Sequence, residues 1–275
     1  MSYVWNSIIT TLSQILILLG PGLALGFAMH FIAKFTGRRL GYKWNIRLVS
    51  WIGTPIHEIG HAFFCVVFGH KITEIQLFHP DPVTGTLGFV NHRYNSNNMY
   101  HQMGNFFIGV GPIIFGTVVL ILLSNWLLDI NLIDTAGVKI LSSDLGSWLA
   151  FTGLFGNLWD WSSSFFLAVF SENNLRNWQL YVFLYLDFAI GSHISLSKAD
   201  LGGVWYGLGV IIGTLLLFNL ATGWIGDFTS EIIVNIANYF GIFYAVMFLA
   251  LILNILFAFI VFLLPHFARN IRGRS

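Results

Sequence analysis

The sequence predicts an all-α polytopic membrane protein with about six transmembrane helices and a small membrane-associated β-hairpin. Of the 275 residues, 56% are hydrophobic and only 9% are charged, and the mean hydropathy of +0.75 lies outside the range of soluble domains. About six apolar segments approach or exceed the roughly 20 residues that a helix needs to cross the hydrocarbon core. We find no repeat and no soluble segment, so residues 1–275 are interpreted as one membrane-embedded domain.

The predicted spans cover about 8–33, 48–69, 104–126, 145–170, 200–224 and 232–264. A further apolar stretch, 178–196, is short and is broken by Asp187, Gly191 and His193, so the sequence leaves open whether it crosses the membrane. The loop between the first two spans holds the densest group of basic residues, which is typical of a cytoplasmic loop. Its members are Lys34, Arg38, Arg39, Lys43 and Arg47.

The segment Gly53-Thr54-Pro55 interrupts the second span. Pro55 suits the first position of a helix, and Thr54 suits the position that caps that helix. We therefore expect the helix to restart at Pro55, with His57 and Glu58 in its first turn. A metal ion bound there would lie part of the way into the bilayer, beside a helix break that admits water.

Residues 57–61 read His-Glu-Ile-Gly-His, an H-E-x-x-H motif inside this apolar segment. Side chains four residues apart share one face of a helix, so His57 and His61 can bind one metal ion while Glu58 points towards a water on it. The histidine and glutamate content of the chain gives about a 0.4% chance of one such match. Zinc suits neutral imidazole ligands, and ionisable residues in a lipid-like setting are usually functional. The motif therefore predicts a catalytic zinc site.

The hydrophobic pattern changes after residue 70, where apolar and polar residues alternate around a turn that contains proline and glycine. This pattern predicts a β-hairpin with strands at 71–78 and 84–91. Two strands are too few for a domain, so we expect the hairpin to lie on the membrane or to dip into it. Three histidines in or after the hairpin have no ligand partner at a fixed spacing and are interpreted as surface residues. They are His79, His92 and His101.

A catalytic zinc site with two histidines needs a third protein ligand. The chain has one cysteine, Cys65, which excludes an intramolecular disulfide and argues against a cluster of thiolate ligands. The third ligand is therefore sought among four residues, namely Asp200, Asp187, Asp160 and His193. Asp160 lies between Trp159 and Trp161, a pattern typical of the membrane interface.

Asp200 allows two interpretations. It opens a long apolar segment, where its side chain can face the helix bundle and reach a metal ion. Ser197 and Asp200 also have the spacing of a capping box, in which Asp200 would return a hydrogen bond to its own helix N-cap. Spacing alone does not decide between these two roles.

These features together resemble the site-2 protease family of intramembrane zinc metalloproteases, in its compact bacterial form. The resemblance covers roughly residues 48–225 and depends first on the motif at 57–61, then on the hairpin and the Gly-Pro pair at 111–112. Residues 192–200 resemble the H-x-S-x-S-x-x-D form of the last motif of the family. The sequence departs from the family because it lacks N-x-x-P-x-x-x-x-D-G around Asp200 and has no PDZ domain.

The resemblance implies a role for each of these residues. The implied zinc ligands are His57, His61 and Asp200, and the implied catalytic acid/base is Glu58. The implied substrate-binding residues, at the start of the third span, are Asn105, Gly111 and Pro112. The family places the hairpin on the cytoplasmic side, which puts the basic loop outside and disagrees with the charge rule. The implied location is the bacterial cytoplasmic membrane.

The favoured function is a zinc-dependent intramembrane endopeptidase that cleaves a membrane protein, expected to have a single span, within or near its transmembrane segment. A helical substrate must be unwound locally, and the free edge of the hairpin can pair with it as an added strand. The alternative is a non-proteolytic zinc-binding receptor, carrier or scaffold on a protease-like fold, whose mark would be loss of the glutamate. Metal or proton transport would require several carboxylates on facing spans. The net charge of +1 gives no indication of a nucleic-acid partner, and the oligomeric state stays open.

Overall fold

The computed structural model describes residues 2–130, 148–196, 200–226 and 228–272. Within these ranges the chain is mostly helical and contains one two-stranded sheet. The helices are α1 (Ser2–Leu40), α2 (Tyr42–Asn45), α3 (Trp51–Val67), α4 (Met99–Leu128), α5 (Trp148–Val169), α6 (Glu172–Leu175), α7 (Trp178–Gly191), α8 (Leu201–Thr222) and α9 (Phe228–Arg272). The strands are β1 (Lys71–Gln76) and β2 (Phe89–Arg93).

Four helices in the described part of the chain are long and apolar enough to cross a membrane, namely α1, α4, α8 and α9. The predicted class, a helical membrane protein with a small hairpin, is therefore confirmed. The number of candidate spans by this measure is four, whereas the sequence pattern predicts about six. The central helix is α4, whose buried face packs against α3, α7 and α8.

Helices α1 and α9 run parallel along much of their length. Gln14, in the first half of α1, donates to the hydroxyl of Ser230 near the start of α9 at 3.1 Å. Arg39, at the end of α1, lies 5.7 Å from the ring centroid of Phe262. The basic residues predicted to form a loop lie instead on helical backbone, because α1 continues to Leu40 and α2 follows at once. α3 starts beside this basic group and ends at β1. The basic group and the hairpin therefore lie at opposite ends of α3.

The predicted restart of the helix at Pro55 is wrong. α3 is continuous from Trp51 through Pro55, and the irregularity comes earlier, as a π-helical turn at Ile46–Ser50. Pro55 lies only four residues into α3, where its missing N–H removes a single hydrogen bond, to the carbonyl of the first helical residue. The motif residues therefore lie in the second and third turns of α3, within regular helix.

The third predicted span also begins earlier than expected. α4 starts at Met99 because the Asn98 side chain accepts hydrogen bonds from the backbone N–H groups of Tyr100 and His101, at 2.9 and 3.4 Å. The helix then continues through Pro112, so the Gly-Pro pair lies inside α4 rather than at its start.

The two strands are antiparallel, with Lys71 opposite Arg93 and Gln76 opposite Phe89. The sequence correctly predicts a hairpin and the start of its first strand, but β1 ends at Gln76 rather than at 78, and β2 starts at Phe89 rather than at 84. The connection is longer because the segment between the strands contains two prolines, which cannot donate to a ladder. Asp81 folds that segment back by accepting from the backbone N–H of Val83 at 2.8 Å.

The chain passes from α7 to α8 through a break in helical structure beside the motif. In α7, the Tyr185 hydroxyl donates to the Leu48 carbonyl at 2.9 Å, so this helix begins at the basic end of the molecule. In α8, Gly207 packs against Phe106 near the start of α4, and the Leu220 carbonyl accepts from Tyr3 at 2.8 Å. α7 has 14 residues, so it reaches only the middle of the bundle, and α8 continues to the other end. Breaks of this kind in membrane proteins commonly hold ion or substrate sites.

Candidate metal centre

The side chains of His57, His61 and Asp200 meet at the break between α7 and α8. One ligand atom from each lies within 4.8 Å of the others, and this is the one such group among the described residues. The two Nε2 atoms are 3.1 Å apart, and Asp200 oxygens lie 3.1 Å from His61 Nε2 and 3.8 Å from His57 Nε2. The sequence correctly predicts that the two histidines share a face, because they are four residues apart on α3.

Backbone carbonyls fix the tautomer of both imidazoles. His57 Nδ1 lies 2.7 Å from the His193 carbonyl oxygen, and His61 Nδ1 lies 2.7 Å from the Ile108 carbonyl oxygen. A carbonyl cannot donate, so each Nδ1 carries the hydrogen, and each neutral ring directs an Nε2 lone pair at the other. Two lone pairs and a carboxylate at this separation repel one another. A divalent cation between them removes that repulsion for all three groups.

The residues fit zinc on chemical grounds. Two imidazole nitrogens and one carboxylate oxygen are a known ligand set for a catalytic zinc, which keeps one position for water. Two nitrogens bound about 2.05 Å from a tetrahedral zinc lie about 3.3 Å apart, close to the separation of the two Nε2 atoms. A ligand histidine normally donates its other N–H to a carbonyl or carboxylate, as His57 and His61 do here.

Gly53 allows His193 to approach α3. A Cβ at position 53 would lie 2.2 Å from His193 Nδ1 and 2.5 Å from the Ala189 carbonyl oxygen, so no other residue fits there without displacement of α7. His193 is in turn held by its Nδ1, which lies 2.8 Å from the Ser192 hydroxyl oxygen. Gly53 is one helical turn before His57 on the same face of α3. A glycine at this spacing indicates, in the sequence itself, that another part of the chain approaches the helix closely beside His57.

Glycines also set the distance between α3 and α4. A Cβ at Gly60 would lie 2.9 Å from the Gly111 carbonyl oxygen and from Pro112, and a Cβ at Gly111 would lie 2.7 Å from the Gly60 carbonyl oxygen. This contact brings the Ile108 carbonyl within reach of His61. Gly111 and Pro112, predicted to bind substrate, are placed at this contact between helices.

Asp200 occupies the N-cap position of α8, although its side chain makes no capping hydrogen bond to that helix. The carboxylate instead faces the two histidines. Ser197, the other member of the predicted capping box, lies outside the described residues. The observed position of Asp200 matches the metal-ligand interpretation.

The alternative third ligands lie elsewhere. Asp187 is fully buried on α7, and neither carboxylate oxygen has a hydrogen-bond partner among the described residues. Asp160 is exposed on α5, a helix that packs against α9; of its two neighbours, Trp159 is exposed and Trp161 is buried. His193 contributes its backbone carbonyl to His57, and its ring lies against Gly53. Among the described residues, none of these three side chains belongs to the metal-binding group.

A cleft of about 640 Å³ opens beside this group, and its opposite wall is the hairpin. Glu58 lines the cleft, and residues 85–92 form the facing wall. A Cβ at Gly88 would lie 2.9 Å from the Glu58 Cγ and 2.7 Å from the Gln76 carbonyl oxygen, so glycine at this position lets the hairpin lie directly over the glutamate. Among the described residues, β2 rather than β1 therefore lines the site.

Asn105 is the predicted substrate-binding residue that lies in the cleft. Its side chain is 6% exposed, and its Nδ2 donor has no hydrogen-bond partner among the described residues. A buried amide without a partner costs about 1–3 kcal/mol, which a ligand carbonyl would recover. Asn105 is therefore a candidate donor to a ligand in the cleft.

Sequence reasoning missed several residues that shape this site. They are Gly88 and His92, the close contact at Gly53, and the backbone carbonyls of Ile108 and His193; the sequence had indicated only the His193 side chain. His92 was interpreted as a surface residue, but it is half-buried and lines the cleft. Backbone carbonyls carry no residue type, so no pattern in the sequence indicates which of them support the histidines.

The fold and the site together define a polytopic helical membrane protein with a candidate metal centre at a helix break, faced by a β-hairpin. Comparisons with protein-family models, curated proteins and solved structures found no match for this chain. The function must therefore be argued from the site.

Proposed function

We propose that the chain is a zinc-dependent intramembrane endopeptidase of the site-2 protease type, which cleaves membrane proteins within or near a transmembrane segment. One observation carries the proposal. A carboxylate, Glu58, shares a cleft with a group of two histidines and one carboxylate, and strand β2 lines the same cleft. Each part has a role in peptide hydrolysis, and a site that only binds metal has no need of the glutamate or the strand edge.

The membrane setting follows from helix lengths. We add α3 and α5 to the four candidate spans, because the π turn and α3 together, like the 22 residues of α5, approach the roughly 20 residues of a span. This extension gives the six spans that the sequence pattern predicts. The bacterial cytoplasmic membrane remains part of the proposal through the resemblance alone.

In this proposal His57, His61 and Asp200 hold the zinc ion. Zinc, when bound, makes a water acidic enough to attack at neutral pH and polarises a carbonyl group. Glu58 accepts a proton from the attacking water and returns it to the amine that leaves when the C–N bond breaks. Asn105 donates its free N–H to the carbonyl oxygen of the peptide as negative charge develops on it.

The hairpin presents the substrate in an extended form. A peptide bond inside a helix is protected by its own hydrogen bonds, so the substrate must unwind before attack. The free edge of β2 offers replacement hydrogen bonds along the cleft wall, as in other cases of strand addition. The expected substrate is a single-span protein whose segment contains a helix-breaking pair.

The test uses purified protein in lipid nanodiscs and a single-span reporter with Asn-Pro near the middle of its transmembrane segment. We expect the wild-type protein to bind one zinc ion per chain and to cleave the reporter. The Glu58→Gln variant should keep its zinc and lose about 10²- to 10⁴-fold in rate, because a general acid/base is removed. Glu172→Gln is the matched control, since Glu172 is an exposed residue of α6 that pairs with Arg176.

Zinc content by mass spectrometry and cleavage by gel distinguish the outcomes. Cleavage at the wild-type rate by the Glu58→Gln protein would contradict the mechanism. A wild-type protein that binds zinc and cleaves none of a panel of such reporters would favour the non-proteolytic receptor, carrier or scaffold.

A further inference from the structure

A second group of histidines lies at the base of the hairpin. His70 follows α3, His92 belongs to β2, and His101 lies near the start of α4. His70 is 5% exposed, and its ring stacks on Tyr94 with a centroid distance of 4.8 Å. Its Nε2 lies 2.8 Å from the His101 carbonyl oxygen, and its Nδ1 lies 3.0 Å from His92 Nδ1. Three separate elements thus meet at one buried imidazole.

These contacts determine which nitrogen of each ring carries hydrogen. The His101 carbonyl can only accept, so His70 Nε2 is the donor, and a neutral His70 presents a lone pair at Nδ1. His92 must then donate from its own Nδ1, which leaves the lone pair of a neutral His92 on Nε2, at the other side of the ring. Burial lowers the pKa of both His70 and His92 below the ordinary value of 6.5, which keeps both rings neutral at pH 7.

His92 also lines the cleft that contains Glu58 and the metal-binding group. His70 occupies the Nδ1 side of the His92 ring, so Nε2 is the nitrogen that is left for a ligand in the cleft. Among the described residues that line the cleft, none comes from β1. A polypeptide in the cleft has backbone N–H groups beyond the part that pairs with β2, and each of them needs an acceptor when water is excluded.

We propose that His92 is a substrate-binding residue whose Nε2 accepts a hydrogen bond from a backbone N–H of a polypeptide in the cleft, and that His70 is the positioning residue that fixes this tautomer. The inference depends on the proposed function for the class of substrate, an extended polypeptide. It does not require that the polypeptide be cleaved.

Two amide substitutions separate binding from positioning. The amide of asparagine falls near the position of a histidine Nδ1, whereas the amide of glutamine falls near the position of Nε2. His92→Asn therefore keeps the hydrogen bond to His70 and loses the acceptor in the cleft. His92→Gln keeps an acceptor in the cleft and loses the hydrogen bond to His70. A substrate-binding role and a purely structural role predict opposite results for this pair.

The measurement is the affinity of a fluorescein-labelled peptide, the transmembrane segment of the Asn-Pro reporter, for zinc-loaded Glu58→Gln protein in nanodiscs. In this background we expect His92→Gln to bind the peptide within about twofold of the parent. His92→Asn should bind it about fivefold more weakly, a loss of affinity that corresponds to one hydrogen bond. Zinc content should be unchanged in both. His70→Asn keeps an acceptor for His92 and should bind like the parent, while His70→Leu should bind about as weakly as His92→Asn.

Chemical modification gives a second readout that needs no cleavage. Diethyl pyrocarbonate reacts with accessible, unprotonated imidazole nitrogens, so His92 should react and bound peptide should protect it. His79, exposed on the same hairpin and outside the lining of the cleft, should react with or without peptide. Buried His70 should react slowly in both cases.

The outcomes distinguish this inference from the proposed function. Normal binding by His92→Asn with weak binding by His92→Gln would overturn the inference and leave His92 as a structural residue. A His92 that does not react, or that reacts without protection by peptide, would overturn it as well. Absence of peptide binding to the parent, while wild-type protein cleaves the reporter, would overturn it and leave the endopeptidase intact. Binding and protection without any cleavage would support it and end the endopeptidase proposal.

Discussion

The pair His57 and His61 and the pair His70 and His92 are built in similar ways and differ in two groups, a second backbone carbonyl and a carboxylate. In both pairs, two imidazole nitrogens lie 3.0–3.1 Å apart. In the first pair both rings donate to backbone carbonyls, which leaves two facing lone pairs beside the carboxylate of Asp200. In the second pair only His70 donates to a carbonyl, so His92 supplies the hydrogen between them.

This difference teaches what makes a pair of histidines a metal site. Carbonyl partners on two neutral rings remove every hydrogen from the space between them, and a carboxylate adds negative charge, so a metal cation is stabilised there. One carbonyl partner leaves a single hydrogen for the two nitrogens to share, and the pair is satisfied without metal. The first pair is suited to hold zinc, and the second is suited to orient an imidazole.

The largest expected effect, on zinc content and cleavage, comes from removal of the Asp200 carboxylate, which the pair His57 and His61 has and the pair His70 and His92 lacks. Asp200→Asn keeps a residue that favours the N-cap position but is a poor zinc ligand. We expect zinc stoichiometry to fall well below one per chain and cleavage of the reporter to be lost. Asp187→Asn and Asp160→Asn are the controls and should keep both. Full zinc occupancy in Asp200→Asn, with loss in one of the controls, would move the third ligand to that control residue.

A smaller effect is expected when a carbonyl partner is displaced. Gly53→Ala places a methyl group against His193 and the Ala189 carbonyl, so the His193 carbonyl should move away from His57. Loss of such a partner typically lowers metal affinity by about 10- to 100-fold. Competition with a zinc chelator measures the change. Gly209→Ala, in α8 with no atom within 4 Å of its added Cβ, should bind zinc like the wild type.

Proline substitutions along β2 test whether the hairpin edge acts independently of the metal centre. Neighbouring residues of a strand direct their N–H groups to opposite edges, so of Val90 and Asn91 one donates to β1 and the other faces the free edge. Proline at the edge-facing position should slow cleavage by about five- to tenfold with zinc content unchanged, since substrate hydrogen bonds are lost. The matched substitutions in β1, at Glu74 and Ile75, give the control. Normal turnover with proline at both β2 positions would exclude strand addition.

The smallest expected effect is on the pH dependence of the hairpin. Burial lowers the pKa of His70 and of His92. Protonation of either ring therefore favours the state in which the hairpin is locally opened. The stability from this pair is fully present above the ordinary pKa of 6.5 and is lost as the pH falls below it. Hydrogen exchange of β2 amides, corrected for intrinsic rates, should become faster between pH 7.5 and 5.5. A protein with both His70→Asn and His92→Asn should lack this change, and an equal change in that protein would place its cause elsewhere.

The sequence by itself determined the membrane class, the hairpin and the pairing of His57 with His61. These features depend on composition and on short-range periodicity, which survive in any tertiary arrangement. The predicted restart at Pro55 failed because a proline near the start of a helix removes one hydrogen bond, a cost that packing against α4 and α7 can offset. In this segment the helix-breaking tendency of proline therefore predicted the structure less well than the spacing of the two histidines.

Only the tertiary structure decided which aspartate meets the histidines, which carbonyls hold their tautomers, and which strand of the hairpin lines the cleft. Asp160, Asp187 and Asp200 all lie in apolar segments, and their spacing along the chain does not distinguish them. The break between α7 and α8 brings Asp200 to α3, and Gly53 and Gly60 let the His193 and Ile108 carbonyls approach. Such contacts join residues far apart in the chain through backbone atoms that are the same for every residue type, so sequence patterns do not record them.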